Sequence, residues 1–239
     1  MVVQLYLDLL SQPCRSVFIF AKINSIPFEF ESVQLCNGDH FTEQYGKVNP
    51  LRKVPALKDG DFALAESVAI LLYLSRKCNT PDHWYPSDLQ KRARVDEFLS
   101  WQHTSIRPNA GIMLWLKVMI PMTLEKTCPA EKLAAAVETL NETLQQFEDK
   151  FLQDKAFIAG EEISIADIVA YSELMQAFFA GHDIFDGRPK LSAWQKRVES
   201  KIGQDILDEA HKMIQNPKQM TVSQTALEAY KVRILKLLQ

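Results

Sequence analysis

A serine that directly follows a predicted strand is the residue best placed to do chemistry in this sequence. Apolar and polar residues alternate over 3–8, which predicts a strand, and Pro13 suits the first turn of a helix. The Ser11 hydroxyl would then lie just outside the positive end of that helix. There it can donate a hydrogen bond to an anion, and the helix dipole adds up to about 1 kcal/mol. The alternative is that Ser11 only caps the helix.

Cys14 stands three residues after Ser11, which is the spacing of a C-x-x-C redox motif with serine in the first, more reactive position. Because this departs from disulfide exchange, we expect Cys14 to be a buried, small apolar residue within the helix. The other cysteines are Cys36, Cys78 and Cys128. None of the four has the spacing of a zinc ligand or a dithiol, so four reduced thiols are expected.

The elements that must position these residues divide the chain in two. Residues 1–77 mix strand and helix periods in the order β-α-β and then β-β-α, with a hairpin signalled by Asp59-Gly60-Asp61. Beyond Pro86, periodicity predicts helices over 89–103, 112–124, 131–151, 165–179 and 192–198. The expected organisation is an α/β domain (1–77), a linker (78–88) and an all-helical domain (89–239).

Composition excludes several classes of function. The 239 residues include 27 Lys or Arg and 30 Asp or Glu, with a net charge of −3. This balance gives no electrostatic footprint for nucleic acid or an anionic membrane surface. No apolar stretch approaches the roughly 18 residues that a membrane span needs, and the N-terminus lacks the basic start of a secretory signal. The histidines are not spaced as metal ligands, so we expect a cytoplasmic protein without a metal.

Four strings, in their order and spacing, resemble the glutathione transferase family: SQPCR at 11–15, NPLRKVP at 49–55, ES at 66–67 and ISIAD at 163–167. The first string resembles the theta class in particular. The resemblance covers essentially the whole chain and implies a thioredoxin-like N-terminal domain with a helical C-terminal domain. It also implies a homodimeric, detoxifying enzyme. Such an enzyme conjugates glutathione to small alkyl and aralkyl halides, epoxides or sulfate esters, and has peroxidase activity on organic hydroperoxides.

The resemblance assigns Ser11 to the thiol and a second helix start to the γ-glutamyl end of glutathione. Ser11 would donate a hydrogen bond to the sulfur and stabilise the thiolate, which is the nucleophile. Glu66-Ser67 opens a helix whose N–H groups and serine hydroxyl can bind the γ-glutamyl carboxylate, with Glu66 meeting the amine. The alternative is that Ser67 only caps this helix and Glu66 is a first-turn charge.

Three further residues are assigned to the rest of the tripeptide on the resemblance alone. The family's proline at position 55 is cis, and this leaves the backbone N–H and C=O of Val54 to pair with the cysteinyl unit as an added strand would. His40 and Lys53 stand where the theta class meets the glycyl carboxylate. A histidine in a polar loop is otherwise solvated.

The electrophile is expected to bind in the helical domain. Arg107 resembles the theta-class arginine that faces the electrophile pocket, where it can steady an anionic leaving group. The alternative is a surface arginine that ends a helix before Pro108. Trp115 and Met119, four residues apart, are candidates to line the same pocket, although an apolar stripe at this spacing is also typical of a core.

Two features of the helical domain are expected to shape the fold and not to take part in the chemistry. Ser164 and Asp167 match the N-cap and N3 positions of a capping box, with Ile163 and Ile168 at the staple positions. Residues 203–239 resemble the theta-class extension that covers the electrophile pocket. The tail also carries a turn signal at Asn216-Pro217. Truncation after Ile202 is therefore predicted to alter electrophile selectivity and speed product release, with glutathione affinity nearly constant. The alternative is that the tail completes the core, in which case truncation gives insoluble protein.

Two rival functions remain open from the sequence. A transferase-like fold is sometimes kept as a non-catalytic interaction module, but such a module is expected to lose residues like Ser11, Lys53 or Ser67, all of which are present. A glutathione-dependent reductase or dehalogenase that forms a mixed disulfide would call for cysteine at position 11.

Overall fold

The computed structural model describes residues 2–215 and 221–239. Its four-stranded sheet has the order β2-β1-β3-β4. The strands are Val3–Leu7 (β1), Phe28–Ser32 (β2), Ala56–Asp59 (β3) and Phe62–Ala65 (β4). Strands β1 and β2 are parallel, whereas β3 runs antiparallel to both of its neighbours. The mixed sheet and the predicted hairpin between β3 and β4 are confirmed, and with them the thioredoxin-like N-terminal domain.

Helices make up most of the remaining described chain. They are Gln12–Ile23 (α1), Glu43–Val48 (α2), Ser67–Lys77 (α3), Leu89–Gln102 (α4), Ile106–Leu114 (α5), Ile120–Leu124 (α6), Ala130–Gln146 (α7), Ile165–Phe179 (α8), Pro189–Ile202 (α9), Gln204–His211 (α10) and Gln224–Leu238 (α11). One π-helical segment, Trp115–Met119, joins α5 to α6, and a second, Phe147–Leu152, extends α7. None of the helices in residues 2–215 and 221–239 is long and apolar enough to cross a membrane.

Two helix starts differ from the sequence prediction. The helix predicted over 112–124 begins earlier, at Ile106, and the helix predicted over 192–198 spans Pro189–Ile202. In each case a proline lies in the first turn, where its missing N–H breaks no helical hydrogen bond. Arg107 consequently lies at the beginning of a helix and does not end one before Pro108, so that alternative is wrong.

The α/β part and the helical part share one continuous core. Helix α8 runs through its centre, with the residues from Ile165 to Ala177 buried, and α1 packs against it. Cys14, on α1, is fully buried, as predicted for a small apolar residue. Because α1 follows the loop that carries Ser11, this packing fixes the serine relative to the helical domain.

The start of α8 is held by the predicted capping box. The Asp167 carboxylate accepts hydrogen bonds from the Ser164 backbone N–H at 2.9 Å and from the Ser164 hydroxyl at 3.0 Å. It also accepts the backbone N–H of Ile158 and the indole N–H of Trp194, both at 2.9 Å. The acid thus ties three separate segments together, which is more than the sequence pattern predicts.

The C-terminal tail divides into two unequal parts. On α10, Leu207 and Ala210 belong to the main core, whereas Ile234 on α11 joins a smaller separate cluster with Leu116 and Met119. Truncation after Ile202 would therefore remove part of the main core, which favours the alternative that the tail completes it, and the effect of truncation on selectivity stays a prediction. The predicted turn at Asn216-Pro217 lies outside the described residues. The domain limits 1–77, 78–88 and 89–239 stay a prediction.

Candidate active site at the domain junction

The register of the sheet brings four chain connections to one edge. Ala56 of β3 pairs with Tyr6 of β1 and with Ala65 of β4, and Leu7 pairs with Ser32 of β2. The ends of β1, β2 and β4 and the start of β3 therefore share this edge. The predicted site residues that follow or precede these strand ends are Ser11, His40, Lys53, Val54, Glu66 and Ser67.

The loop between β1 and α1 is fixed by two buried charged side chains. The Asp8 carboxylate accepts the backbone N–H of Leu10 at 2.9 Å and that of Leu35 at 2.7 Å. From the other side, the Arg15 guanidinium donates to the carbonyl oxygens of Leu9 and Leu10 at 2.9 and 3.0 Å. These bonds leave the four-residue loop 8–11 little freedom, so the serine at its end has a defined position.

Ser11 occupies the N-cap position of α1, with φ −82° and ψ 126°, and its side chain makes no capping hydrogen bond. The alternative that its hydroxyl caps the helix is therefore wrong. The half-buried side chain lies beside the Cys14 thiol. Burial raises the pKa of Cys14 to about 12, and the nearby Asp8 backbone and Ser11 side chain oppose this only in part. Cys14 is thus a protonated, inert thiol, whereas Ser11 faces a cavity.

The start of α3 is strained and lacks a side-chain cap. Glu66 is its N-cap residue, with φ 68° and ψ 116°, and makes no capping hydrogen bond. A non-glycine residue in such a conformation costs about 1–3 kcal/mol and is found mainly at functional sites. Ser67, the first helical residue, is buried. The N-cap side chain thus leaves the first N–H groups of α3 uncapped, as suits an anion-binding helix start.

Arg107 links the helical part to the start of α3. Its Nε donates to Glu173 Oε1 at 2.8 Å, and its Nη2 lies 3.4 Å from the Ser67 hydroxyl oxygen. A third contact joins Nη1 to the His103 Nδ1 at 3.2 Å. The side chain is about a quarter exposed, at 24%, and is therefore not the surface arginine of the alternative interpretation.

A cavity of about 630 Å³ lies between Ser11 and the helical part. Most of its wall is apolar, with polar groups at a few positions. Its lining includes Ser11, Gln12, Cys36, His103, Arg107, Trp115, Met119, Gln176, Phe179, Tyr230, Arg233 and Leu237. A largely apolar cavity with convergent polar groups is the usual form of a small-molecule site. Ser11 thus shares one cavity with the three residues predicted for the electrophile.

Helix α11 closes one side of this cavity and is bonded to the segment after β2. The Tyr230 hydroxyl donates to the Leu35 carbonyl at 2.8 Å, and the backbone N–H of Ser223 donates to the Cys36 carbonyl at 2.8 Å. The Tyr230 ring also meets Trp115 edge-on, with centroids 5.6 Å apart. The tail therefore connects the two parts of the molecule over the cavity.

None of the five predicted glutathione residues is part of the cavity lining, and three of them, His40, Lys53 and Val54, lie at the same edge of the sheet as Ser11. His40 is buried, so the solvated alternative is wrong, and burial lowers its pKa. The Lys53 side chain is exposed, and its carbonyl accepts a hydrogen bond from the Tyr45 hydroxyl at 2.6 Å. The Val54–Pro55 peptide bond is cis, as the resemblance implies.

Sequence reasoning missed several residues that the structure brings to the site. They are His103, Glu173, Gln176 and Arg233. Glu173 had a detectable signal, because it is the one acid after the first turn of a helix that is otherwise almost entirely apolar. His103, Gln176 and Arg233 have no such signal, and only the three-dimensional structure places them at the site. Within the part of the chain that the structure describes, no three His, Cys, Asp or Glu residues are grouped as a metal site.

Both halves of the chain match one family. The model of the glutathione S-transferase N-terminal domain matches residues 11–77, and that of the C-terminal domain matches residues 110–201. Together with the fold, these matches show that the chain belongs to the glutathione S-transferase family.

Individual relatives narrow the class. Human glutathione S-transferase theta-1 is 57% identical over 218 residues, which are 91% of this chain and 91% of that protein. The apo structure of human glutathione-S-transferase T1-1 is similar with a TM-score of 0.94 and 52% identity, covering 99% of this chain and 100% of that one. A human theta-class transferase in complex with the glutathione conjugate of 1-menaphthyl sulfate has a TM-score of 0.93 and 46% identity, over 99% and 100% of the two chains. The protein is a theta-class transferase that conjugates glutathione.

Proposed function

We propose that Ser11 activates glutathione by donating a hydrogen bond from its hydroxyl to the sulfur. The observation that carries this proposal is the combination of an uncapped Ser11 hydroxyl, the start of α1 and the wall of an apolar cavity. The sulfur would bind between the serine and the cavity, where the electrophile is presented. Ser11 is neither a nucleophile nor a base in this scheme.

The size of the effect is sufficient for activation. A hydrogen bond to a charged group contributes about 1.5–3 kcal/mol, which corresponds to a pKa lower by roughly one to two units. The N-terminal end of α1 adds up to about 1 kcal/mol in the same direction. A free thiol has a pKa of about 8.5, so these two contributions bring the thiolate into the neutral range.

Charged and polar groups along the sheet edge fit the remaining parts of glutathione. Ser67 and the free N–H groups of α3 would bind the γ-glutamyl carboxylate, and the exposed Glu66 would meet the amine. The Val54 backbone would pair with the cysteinyl unit. At the glycyl end, burial lowers the pKa of His40, so this residue would be a neutral donor, and the exposed Lys53 would supply the positive charge.

The cavity is proposed as the electrophile site, with Arg107 facing the leaving group and Trp115 and Met119 contacting the apolar part. Its volume suits small alkyl and aralkyl halides, epoxides and sulfate esters. The human theta-class relative is in complex with the glutathione conjugate of 1-menaphthyl sulfate, which favours the sulfate esters among these. We include glutathione peroxidase activity on organic hydroperoxides, because the same thiolate can attack a peroxide oxygen.

The family resemblance also supports a homodimer located in the cytoplasm. Both proposals are open to direct test by sedimentation and by imaging of the tagged protein in cells. Neither a metal nor a further cofactor has a part in the proposed reaction.

Assays with one member of each electrophile class test this function. Purified enzyme is incubated with glutathione and an alkyl halide, an epoxide, a sulfate ester or a hydroperoxide. The first three should give a thioether conjugate by mass spectrometry, and the hydroperoxide should give its alcohol, water and glutathione disulfide. An enzyme that binds glutathione by calorimetry but forms none of these products would contradict the proposal.

A further inference from the structure

Glu173 places a carboxylate inside the core at the junction of the two domains. Its side chain is 0% exposed, and its Oε1 accepts the Nε–H of Arg107 at 2.8 Å. Its second oxygen, Oε2, is buried without a hydrogen-bond partner among residues 2–215 and 221–239. Since the same helix is otherwise largely apolar, this acid is a marked exception to the pattern of its surroundings.

A buried ion pair is a poor device for stability alone. The desolvation of both charges offsets most of their attraction, and an apolar pair of similar volume is often as stable. The geometry instead points toward the site. Arg107 lines the electrophile cavity and approaches the Ser67 hydroxyl, whereas Glu173 lies behind it, away from the cavity lining.

The hydrogen bonds of Arg107 define the orientation of its guanidinium. This group is planar, with donors in a rigid fork, so a bond at one edge limits the directions of the others. With Nε bonded to Glu173 and Nη1 beside His103 Nδ1, the remaining N–H groups are left for Ser67 and the cavity. Loss of the Glu173 charge would weaken the bond to Nε, because charge-assisted hydrogen bonds are roughly twice as strong as neutral ones, and would allow the guanidinium to rotate.

A second arginine supports the charge of Glu173. Arg15 is fully buried and donates to the Ser172 carbonyl at 3.1 Å and to Gln176 Oε1 at 2.6 Å. Burial raises the pKa of Glu173, whereas the positive charges of Arg107 and Arg15 oppose that rise. Arg15 is also the residue that holds the loop before Ser11.

We infer that Glu173 is a positioning residue for catalysis, which fixes the Arg107 guanidinium between the glutathione site at Ser67 and the electrophile cavity. Glu173 contacts no substrate and acts through Arg107. This inference rests on the proposed role of Arg107 in the cavity, but it is independent of how the thiol is activated at Ser11.

The variant Glu173→Gln keeps the size of the side chain and one acceptor but removes the charge. Its matched control is Glu148→Gln. Glu148 is a comparably enclosed acid, 10% exposed, whose carboxylate accepts the Arg188 Nη1–H with an N–O distance of 2.7 Å, and it is not part of the cavity lining. For Glu173→Gln we expect kcat to fall roughly ten- to a hundredfold, as for a displaced catalytic group. Glutathione affinity by calorimetry should change by less than about threefold, since the Arg107–Ser67 contact is long. Glu148→Gln should change neither.

A double-mutant cycle decides whether Glu173 acts through Arg107. In an Arg107→Ala background, Glu173→Gln should lower kcat no further. Wild-type kcat in Glu173→Gln, or in Arg107→Ala, would overturn the inference, and so would an equal loss in both backgrounds. If Glu173→Gln does not fold, Arg107→Lys removes the same Nε–H donor and keeps the charge. Wild-type kcat in that variant would overturn the inference equally. A failure of the thiol-activation proposal would be seen separately, as normal turnover in Ser11→Ala.

Discussion

Ser11 and Ser164 occupy the same kind of position, at the start of α1 and of α8, yet their hydroxyls have different uses. The Ser164 hydroxyl donates to the Asp167 carboxylate inside the core. The Ser11 side chain makes no capping hydrogen bond and borders the cavity. Both residues are serines that directly precede a helix. The hydrogen-bond partner of the hydroxyl therefore distinguishes the residue that stabilises the fold from the residue that is available to a ligand. Substitutions at Ser11 should therefore change turnover, whereas substitutions at Ser164 and its partner Asp167 should change the free energy of unfolding.

The largest effect is expected at the structural site. Asp167→Ala would leave buried donors from Ile158, Ser164 and Trp194 without their acceptor. Because each unsatisfied buried donor costs about 1–3 kcal/mol, the free energy of unfolding should fall by several kcal/mol, on the order of 3–5. Urea denaturation measures this loss. A loss below about 1 kcal/mol would show that the network contributes little.

The same Ser→Ala change at the two helix starts gives the sharpest contrast. Ser11→Ala should slow turnover at neutral pH roughly ten- to a hundredfold, because about 1.5–3 kcal/mol of thiolate stabilisation is lost, with the fold intact. Ser164→Ala should leave the rate per folded molecule unchanged and reduce stability by about 1 kcal/mol. Steady-state kinetics and urea denaturation of both variants measure the contrast. Equal kinetic effects in both variants would remove the distinction.

A smaller effect is expected at the third helix start, where Ser67 meets the remote γ-glutamyl end. Ser67→Ala should weaken glutathione binding about tenfold, as for a lost hydrogen bond to a charged group, and should change kcat much less. Calorimetry and saturation kinetics separate the two. If affinity is unchanged and only kcat falls, Ser67 acts through Arg107 and not on the carboxylate.

The smallest effect is expected at α11. Tyr230→Phe removes the bond to the Leu35 carbonyl and keeps the ring against Trp115. A weaker closure should change the KM ratio of bulky to small electrophiles by about two- to fivefold, equivalent to roughly 0.5–1 kcal/mol. The affinity of Tyr230→Phe for glutathione should be unchanged. Tyr85→Phe is the control, since its hydroxyl bonds Asp96 outside the cavity lining. An unchanged ratio in Tyr230→Phe would argue against the α11 closure.

Local patterns in the sequence were enough for the mixed sheet, the hairpin and the capping box. These depend on alternation, turn residues and cap spacing, all of which involve residues within a few positions of one another. The arrangement around Arg107 was not predictable in the same way, because Glu173 is 66 residues away in the chain. Helix starts were misplaced near prolines such as Pro108, because a proline is compatible both with the end of one helix and with the first turn of the next. The route of the tail likewise depends on long-range bonds such as Tyr230 to Leu35.

The Ser11 hydroxyl is proposed to lower the pKa of the glutathione thiol, and titration of the bound thiol tests this proposal directly. Thiolate absorbance of the binary complex is followed against pH for the wild-type enzyme, Ser11→Ala and Ser164→Ala. A donor to sulfur stabilises the charged form, so the wild type should titrate below the free thiol value of about 8.5 and Ser11→Ala roughly one to two units higher than wild type. Ser164→Ala should match the wild type. A Ser11→Ala complex that titrates at the wild-type pKa would contradict the account.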